Sequence, residues 1–306
     1  VPASAQTDYA RLVEPLVVEV TRGEVVEARH RVHAVAVRGS ATELVAGDAE
    51  RVTFLRSAAK PVQALPVVRA CPALDDEQVA LCCASHLARP EQLAAVRRTL
   101  ALAGATEDDL ECGADPTRLG HNCSGKHAGL LALCAANGWQ RTGYRLAGHP
   151  CQQAMLHEVA AVTGIPAGSL VTAPDGCGVV TFAVPLRAAA AMLAGLRERE
   201  GAARVLRAMR LHPDLLRGPV AADAVVIRAL DGWIAKGGAE GLFCASAPDG
   251  LGLALKVEDG AFRAIGPALE RVLELLGRPA EGISDPLVRN SRDEIVGLFR
   301  VRKVSV

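Results

Sequence analysis

The sequence predicts an α/β (α+β) fold: a mixed, mainly antiparallel sheet made from both chain ends, with a helical lobe, approximately residues 61–220, inserted between them. Three observations predict it. Short Val-rich stretches that alternate apolar and polar residues crowd the first fifty positions. Helix-length segments, several opened by proline, serine or paired acids, fill the middle. Alternation returns after residue 240. Strands, then helices, then strands again is the order of a sheet completed by its own C-terminal half.

Residues 1–15 are weakly patterned and read as an arm. Segments 17–20, 25–29, 32–38 and 43–45 read as short strands, with turns at Arg22-Gly23 and Arg38-Gly39-Ser40. The period then changes. Segment 57–70 is helical, with Pro61 close to its start, where a missing N–H costs nothing. Segment 75–84 opens on two acids that suit a helix N-terminus. Segment 90–103 is a third helix, and 104–122 has little apolar periodicity and reads as loop. Segment 124–137 is helical and stops at Gly138. Segments 150–163, 186–200, 202–211 and 222–235 also read as helices. Segments 241–245 and 252–257 flank Ala247-Pro248-Asp249-Gly250, a hairpin turn. Segment 261–276 is an amphipathic helix, 277–283 a linker, and 295–301 a last strand.

Composition narrows the function. Lys+Arg and Asp+Glu are 34 each, so the chain has no global basic field for nucleic acid. Five Phe, two Tyr and two Trp leave little for base stacking. The longest apolar stretches are broken by Arg187 and Arg197, too soon for a membrane span. The opening residues lack a charged region followed by an apolar one, so no signal peptide is expected. Nine scattered cysteines, an odd number in apolar surroundings, suit buried thiols in the cytoplasm. Half the residues are apolar, enough for one large core, and residues 1–306 read as a single domain.

Five clusters hold reactive side chains. In Arg56-Ser57-Ala58-Ala59-Lys60, the serine and lysine sit one helical turn apart, so a neutral amine could take the hydroxyl proton. An ordinary lysine is neutral at pH 7 in only about one molecule in 2,500, so Lys60 would need burial or a neighbouring cation. Cys82-Cys83-Ala84-Ser85-His86 offers a second hydroxyl at a helix end. Asn122-Cys123-Ser124-Gly125-Lys126-His127 lies where a loop meets a helix start, a setting that favours thiolate. Asp175-Gly176-Cys177-Gly178 is a tight turn presenting Cys177. Cys123, Lys126 and Cys177 together could bind zinc, if the lysine is neutral. Lys236-Gly237-Gly238 can lie against a nucleophile without obstruction. Each also has a plain structural reading as a helix cap or terminus. A Ser–Lys pair on a first helix with a Lys-x-Gly before a late strand is the arrangement of penicillin-binding proteins and class A β-lactamases.

In this order, R-S-A-A-K-P, C-A-S-H, N-C-S-G-K-H, D-G-C, K-G-G-A-E-G and K-V-E-D-G resemble the asparaginase II-like family, the thermolabile, rhizobial-type (class 3) L-asparaginases. The likeness runs from about residue 17 to the end, with Asn290-Ser291-Arg292 near its close. It implies a single catalytic domain with a serine β-lactamase-like fold, a homodimer, and hydrolysis of L-asparagine to L-aspartate and ammonia. It implies two Ser–Lys pairs, Ser57 with Lys60 and Ser85 with Lys236, and zinc (Zn2+) on Cys123, Lys126 and Cys177. A zwitterionic substrate needs partners of both signs; Arg56 and Asp175 are nominated, with His86 and Gly176 beside them. Two other readings are open: a thiol amidase with Cys123 as nucleophile and His127 one turn along, and a non-catalytic amino-acid or metal-binding protein.

Overall fold

The computed structural model describes residues 10–280 and 282–302. Residues 1–9, most of the expected arm, lie outside the described residues, while Ala10–Leu12 forms a short strand, β1. Next come β2 (Leu16–Arg22), β3 (Val25–Arg38), β4 (Ala41–Ala46) and β5 (Val52–Phe54). A 3-10 turn over Arg56–Ala59 leads into α1 (Lys60–Ala70). Then follow α2 (Asp76–Cys82), α3 (Pro90–Leu102), α4 (Ser124–Ala136) and α5 (Pro150–Thr163). Strands β6 (Val171–Pro174) and β7 (Val180–Pro185) precede α6 (Leu186–Leu196), α7 (Ala202–Leu211) and α8 (Ala222–Ala229). The chain ends with β8 (Ile234–Gly237), β9 (Leu242–Ser246), β10 (Leu251–Val257), α9 (Ile265–Leu275), β11 (Leu287–Arg289) and β12 (Ile295–Val301).

The main sheet runs β11-β12-β2-β3-β10-β9-β8, with β4 also on β3 and β1 parallel to β4. It is mostly antiparallel and joins both chain ends, as the sequence predicts. Strand β3 is its axis. Its first half pairs with β2 and its second half with β4 on the same edge, while β10 takes the opposite edge. The first half alternates exposed and half-buried residues; the second is almost wholly buried. That change of pattern explains why one strand reads as two.

The inserted region is not purely helical. Strands β6 and β7 lie within it and pair with β5, just before it, in a separate antiparallel sheet, and the sequence reading missed all three. Segment 222–235 is also corrected: the helix stops at Ala229, Asp231-Gly232 turns the chain, and Ile234 starts β8. Helix α1 packs against α2, α4, α5, α6 and α7, and it is buried without a break from Lys60 to Val68. A helix apolar on every side belongs at the centre of a domain. Lys60 at its head is therefore carried into the interior by eight buried neighbours, all apolar but Gln63.

Helix α6 lies on β10 and β3 so closely that Gly252 of β10 has no room for a side chain. A Cβ on Gly252 would fall 2.1 Å from the Ala190 carbonyl oxygen of α6. Gly252→Ala is expected to lower unfolding stability by about 2 kcal/mol, because a helix backbone must retreat from the sheet. Denaturant titration checks it; an unchanged midpoint would contradict this packing.

Candidate active site

The chain leaves β5 held by the Leu55 amide on the Phe182 carbonyl at 2.8 Å. Arg56 then adopts a φ of +49°, a left-handed conformation that a residue with a Cβ seldom takes. Its amide donates to the Thr181 hydroxyl at 3.0 Å, which holds the strained peptide in place. This bend sets Ser57, half-buried, on the wall of a cavity of about 230 Å³. Ser85, His121, Asn122, Cys123, Asp175, Gly176, Cys177, Arg217 and Gly237–Ala239 line the rest. Five well-separated segments named from the sequence, around 57, 85, 123, 177 and 237, thus converge on one space.

Lys60 stands behind this wall, fully buried. Its ammonium nitrogen bonds the Ala84 carbonyl, the Ser85 hydroxyl at 3.0 Å and the Cys123 sulfur at 3.3 Å. Burial pushes its pKa down from the usual lysine value; the charges of Lys126 and Lys236 push the same way, and Cys123 and Cys177 oppose them. A cation inside apolar surroundings loses its hydration, so the neutral amine gains. The Lys60 amide donates to the Ser57 carbonyl, but no hydrogen bond joins their side chains among the described residues; the hydroxyl that Lys60 holds is that of Ser85.

Lys236, on β8, is equally buried and does not reach Ser85 by a hydrogen bond. It is bonded to Asp223 at 2.9 Å and to the Gly237 carbonyl at 2.9 Å. Burial works against a charged Asp223, but Lys236 and the Gly237 amide outweigh it and hold the carboxyl below its usual range. Asp223 was not singled out from the sequence, where it reads as an ordinary helix-start acid. Gly238 lets the exit of β8 lie against the Ser57 turn: a Cβ there would come within 2.9 Å of the Leu55 carbonyl.

The cysteine pair forms a second charged unit. Lys126 donates to the Cys177 sulfur at 3.2 Å. A hydrogen bond from Cys123, the Lys126 charge and the Val179 amide bring the Cys177 thiol down to about 4, against the pull of burial. Burial would neutralise Lys126, but the two sulfurs hold its pKa above the ordinary value. The unit is a thiolate–ammonium pair beside a second thiol. Two soft sulfur donors and one amine at a cavity wall are a donor set that zinc accepts, provided the amine gives up its proton. Among the described residues no group of three or more His, Cys, Asp or Glu is placed to hold a metal, so any such site must use the lysine.

Other expectations are corrected. Arg56 and Asp175 do not wait for opposite ends of a substrate; they are bonded to each other, and the Gly176 amide also caps Asp175 at 2.7 Å. His86 does not line the cavity. Its Nδ1 accepts from the Ala88 amide and its Nε2 meets the Ser124 hydroxyl at 2.8 Å, and burial lowers its pKa to about 4. It is a neutral strut. The His127 ring bonds the Tyr144 hydroxyl at 2.6 Å; its amide donates to the Cys123 carbonyl at 3.0 Å, but no hydrogen bond joins the ring to the Cys123 sulfur among the described residues. The histidine that the thiol-amidase reading pairs with Cys123 is therefore turned to another partner.

A family described as L-asparaginase II matches residues 18–301, and the chain belongs to that family. No curated protein matches it. Among solved structures, it is similar to a β-lactamase from Mycobacterium bovis, 17% identical, covering 80% of this chain and 94% of that one, with a TM-score of 0.38; that likeness is too slight to carry weight.

Removing Asp223 as Asp223→Asn would strand the Lys236 charge in the interior, so stability is expected to fall by about 3 kcal/mol. Because the folded pKa of Asp223 is depressed, the pair stabilises the fold above the ordinary carboxylate value of 3.8 and fades as pH drops through the folded value. The gap between wild type and variant should narrow in that acid range. A constant gap in melting curves from pH 3 to 7 would contradict the assignment.

Proposed function

We propose that this protein is an L-asparagine amidohydrolase, releasing L-aspartate and ammonia through an acyl-enzyme on Ser57. The observation that supports it most is the placement of Lys60: a buried amine biased toward neutrality, one turn from a cavity-lining serine and bonded to a second. Neutral Lys60 takes the Ser57 proton as its oxygen attacks the carboxamide carbon. The C–N bond then breaks, and the proton passes from Lys60 through Ser85 to the leaving nitrogen. Water repeats the sequence on the aspartyl ester. Lys236 supplies fixed positive charge that disfavours an ammonium at Lys60.

Developing negative charge on the carbonyl oxygen needs donors. The backbone N–H groups of Ser57 and Ala239 both belong to cavity-lining residues, and neither has an acceptor among the described residues. They are suited to an oxyanion hole, in which one donor is worth about 3 kcal/mol in the transition state. Cys123, Lys126 and Cys177 would hold zinc; when bound, it supplies positive charge and orientation at the cavity wall. The nucleophile does not depend on it. The proposal includes a homodimer in the cytoplasm, each subunit a single catalytic domain.

Ser57→Ala is expected to reduce ammonia release from asparagine by about 10³-fold or more; near-normal turnover would move the nucleophile elsewhere. Because the base works uncharged and its pKa is lowered, kcat should rise with pH through a value below 10.5. Lys60→Met should remove that limb with the activity. Cys177→Ser should lose zinc by elemental analysis and raise KM; unchanged zinc content and KM would retire the metal site. Glutamine and a β-lactam, assayed alongside, test the substrate choice: a preference for either would contradict it.

A further inference from the structure

A zwitterionic substrate needs a cation for its α-carboxylate, and the nominated one, Arg56, already has Asp175 as its partner. The cavity adjoins a larger compartment of about 510 Å³, with which it shares Arg217, Gly237, Gly238 and Ala239. Three cationic side chains, Arg56, Arg217 and Lys236, line the two compartments. Arg56 is paired with Asp175 and Lys236 with Asp223. Arg217 has no carboxylate partner among the described residues, and it is the member that faces both compartments.

Its position is built, not incidental. The preceding residue, Leu216, accepts a hydrogen bond from the Ser85 amide at 2.7 Å. Gln92, fully buried, donates to the carbonyls of Leu215 and Arg217 at 3.2 Å each. The Gln92 side-chain oxygen in turn accepts from the amides of Leu87 and Arg89 at 3.0 Å. The backbone under Arg217 is thereby fastened to the segment that presents Ser85, while the residue itself is exposed and lines the cleft. A planar fork of N–H donors anchored beside the reacting hydroxyls matches a carboxylate.

We propose that Arg217 binds the α-carboxylate of the substrate and selects α-amino-acid amides over amides that lack this group. This rests on the amidohydrolase reading, so its test includes a binding measurement that does not need turnover. L-Aspartate is titrated calorimetrically into wild type, Arg217→Gln and Arg217→Lys. Ammonia release is measured in parallel with L-asparagine and with 3-aminopropanamide, which keeps the amine and the amide but has no carboxylate. In Arg217→Gln, the aspartate Kd and the asparagine KM should both rise roughly 10- to 100-fold. Activity on 3-aminopropanamide should fall far less than activity on asparagine, and Arg217→Lys should recover part of the affinity. Undiminished aspartate binding in Arg217→Gln, no aspartate binding by wild type, or equal losses on both amides would each overturn the proposal. Arg217-dependent aspartate binding without ammonia release from asparagine would instead overturn the amidohydrolase reading and leave this one standing.

Discussion

One buried amine organises the site. Lys60 enters the interior at the head of α1 because the eight residues after it, all apolar but Gln63, are buried. Once there, its nitrogen ties the Ala84-Ser85 segment and the start of α4 to the Ser57 turn. An ion pair would satisfy it better, yet no carboxylate is bonded to it among the described residues. The fold tolerates an ammonium whose hydration has been replaced by a carbonyl, a hydroxyl and a sulfur. The cost of that replacement is what makes the neutral form accessible.

The three lysines around the cleft are sorted by their partners. Lys236 has Asp223 and Lys126 has the Cys177 thiolate, so each has a nearby anion to offset its charge. Lys60 shares its surroundings with both cations. Nearby positive charge that is itself neutralised only in part adds to desolvation and leaves Lys60 as the group suited to exchange a proton. Arginine could not take this place, since a guanidinium does not lose its proton near neutral pH. The chain has only five lysines among its 34 basic residues, and Lys60, Lys126, Lys236 and Lys256 are all buried. In so arginine-rich a chain, that scarcity was itself a signal, available in the sequence, that these positions need an amine.

Much of the fold was legible because its helices announce their ends. The starts of α3, α4, α5, α6, α7 and α8 and the full span of β12 fall where proline, period and turn residues put them. The strands β5, β6 and β7 were not, being short, and β6 and β7 each ending in proline. The site was legible as a set of clusters, not as a geometry. Spacing brought out Ser57, Lys60, Cys123, Lys126 and Cys177, which the fold does assemble. It could not show that Lys60, rather than Lys236, holds Ser85, or that Arg56 is occupied by Asp175. Asp223, His121 and Arg217 carry no motif, and only the folding of distant segments onto one cavity reveals them.

The most direct test of this account is the titration of Lys60 itself. With only five lysines, ε-13C-lysine labelling gives a spectrum simple enough to follow, and the Lys60 signal is the one lost in Lys60→Met. The account predicts a midpoint for Lys60 clearly below the ordinary lysine value of 10.5 and a Lys126 midpoint above it. A Lys60 signal that stays in its charged form up to or beyond 10.5 would contradict the central claim.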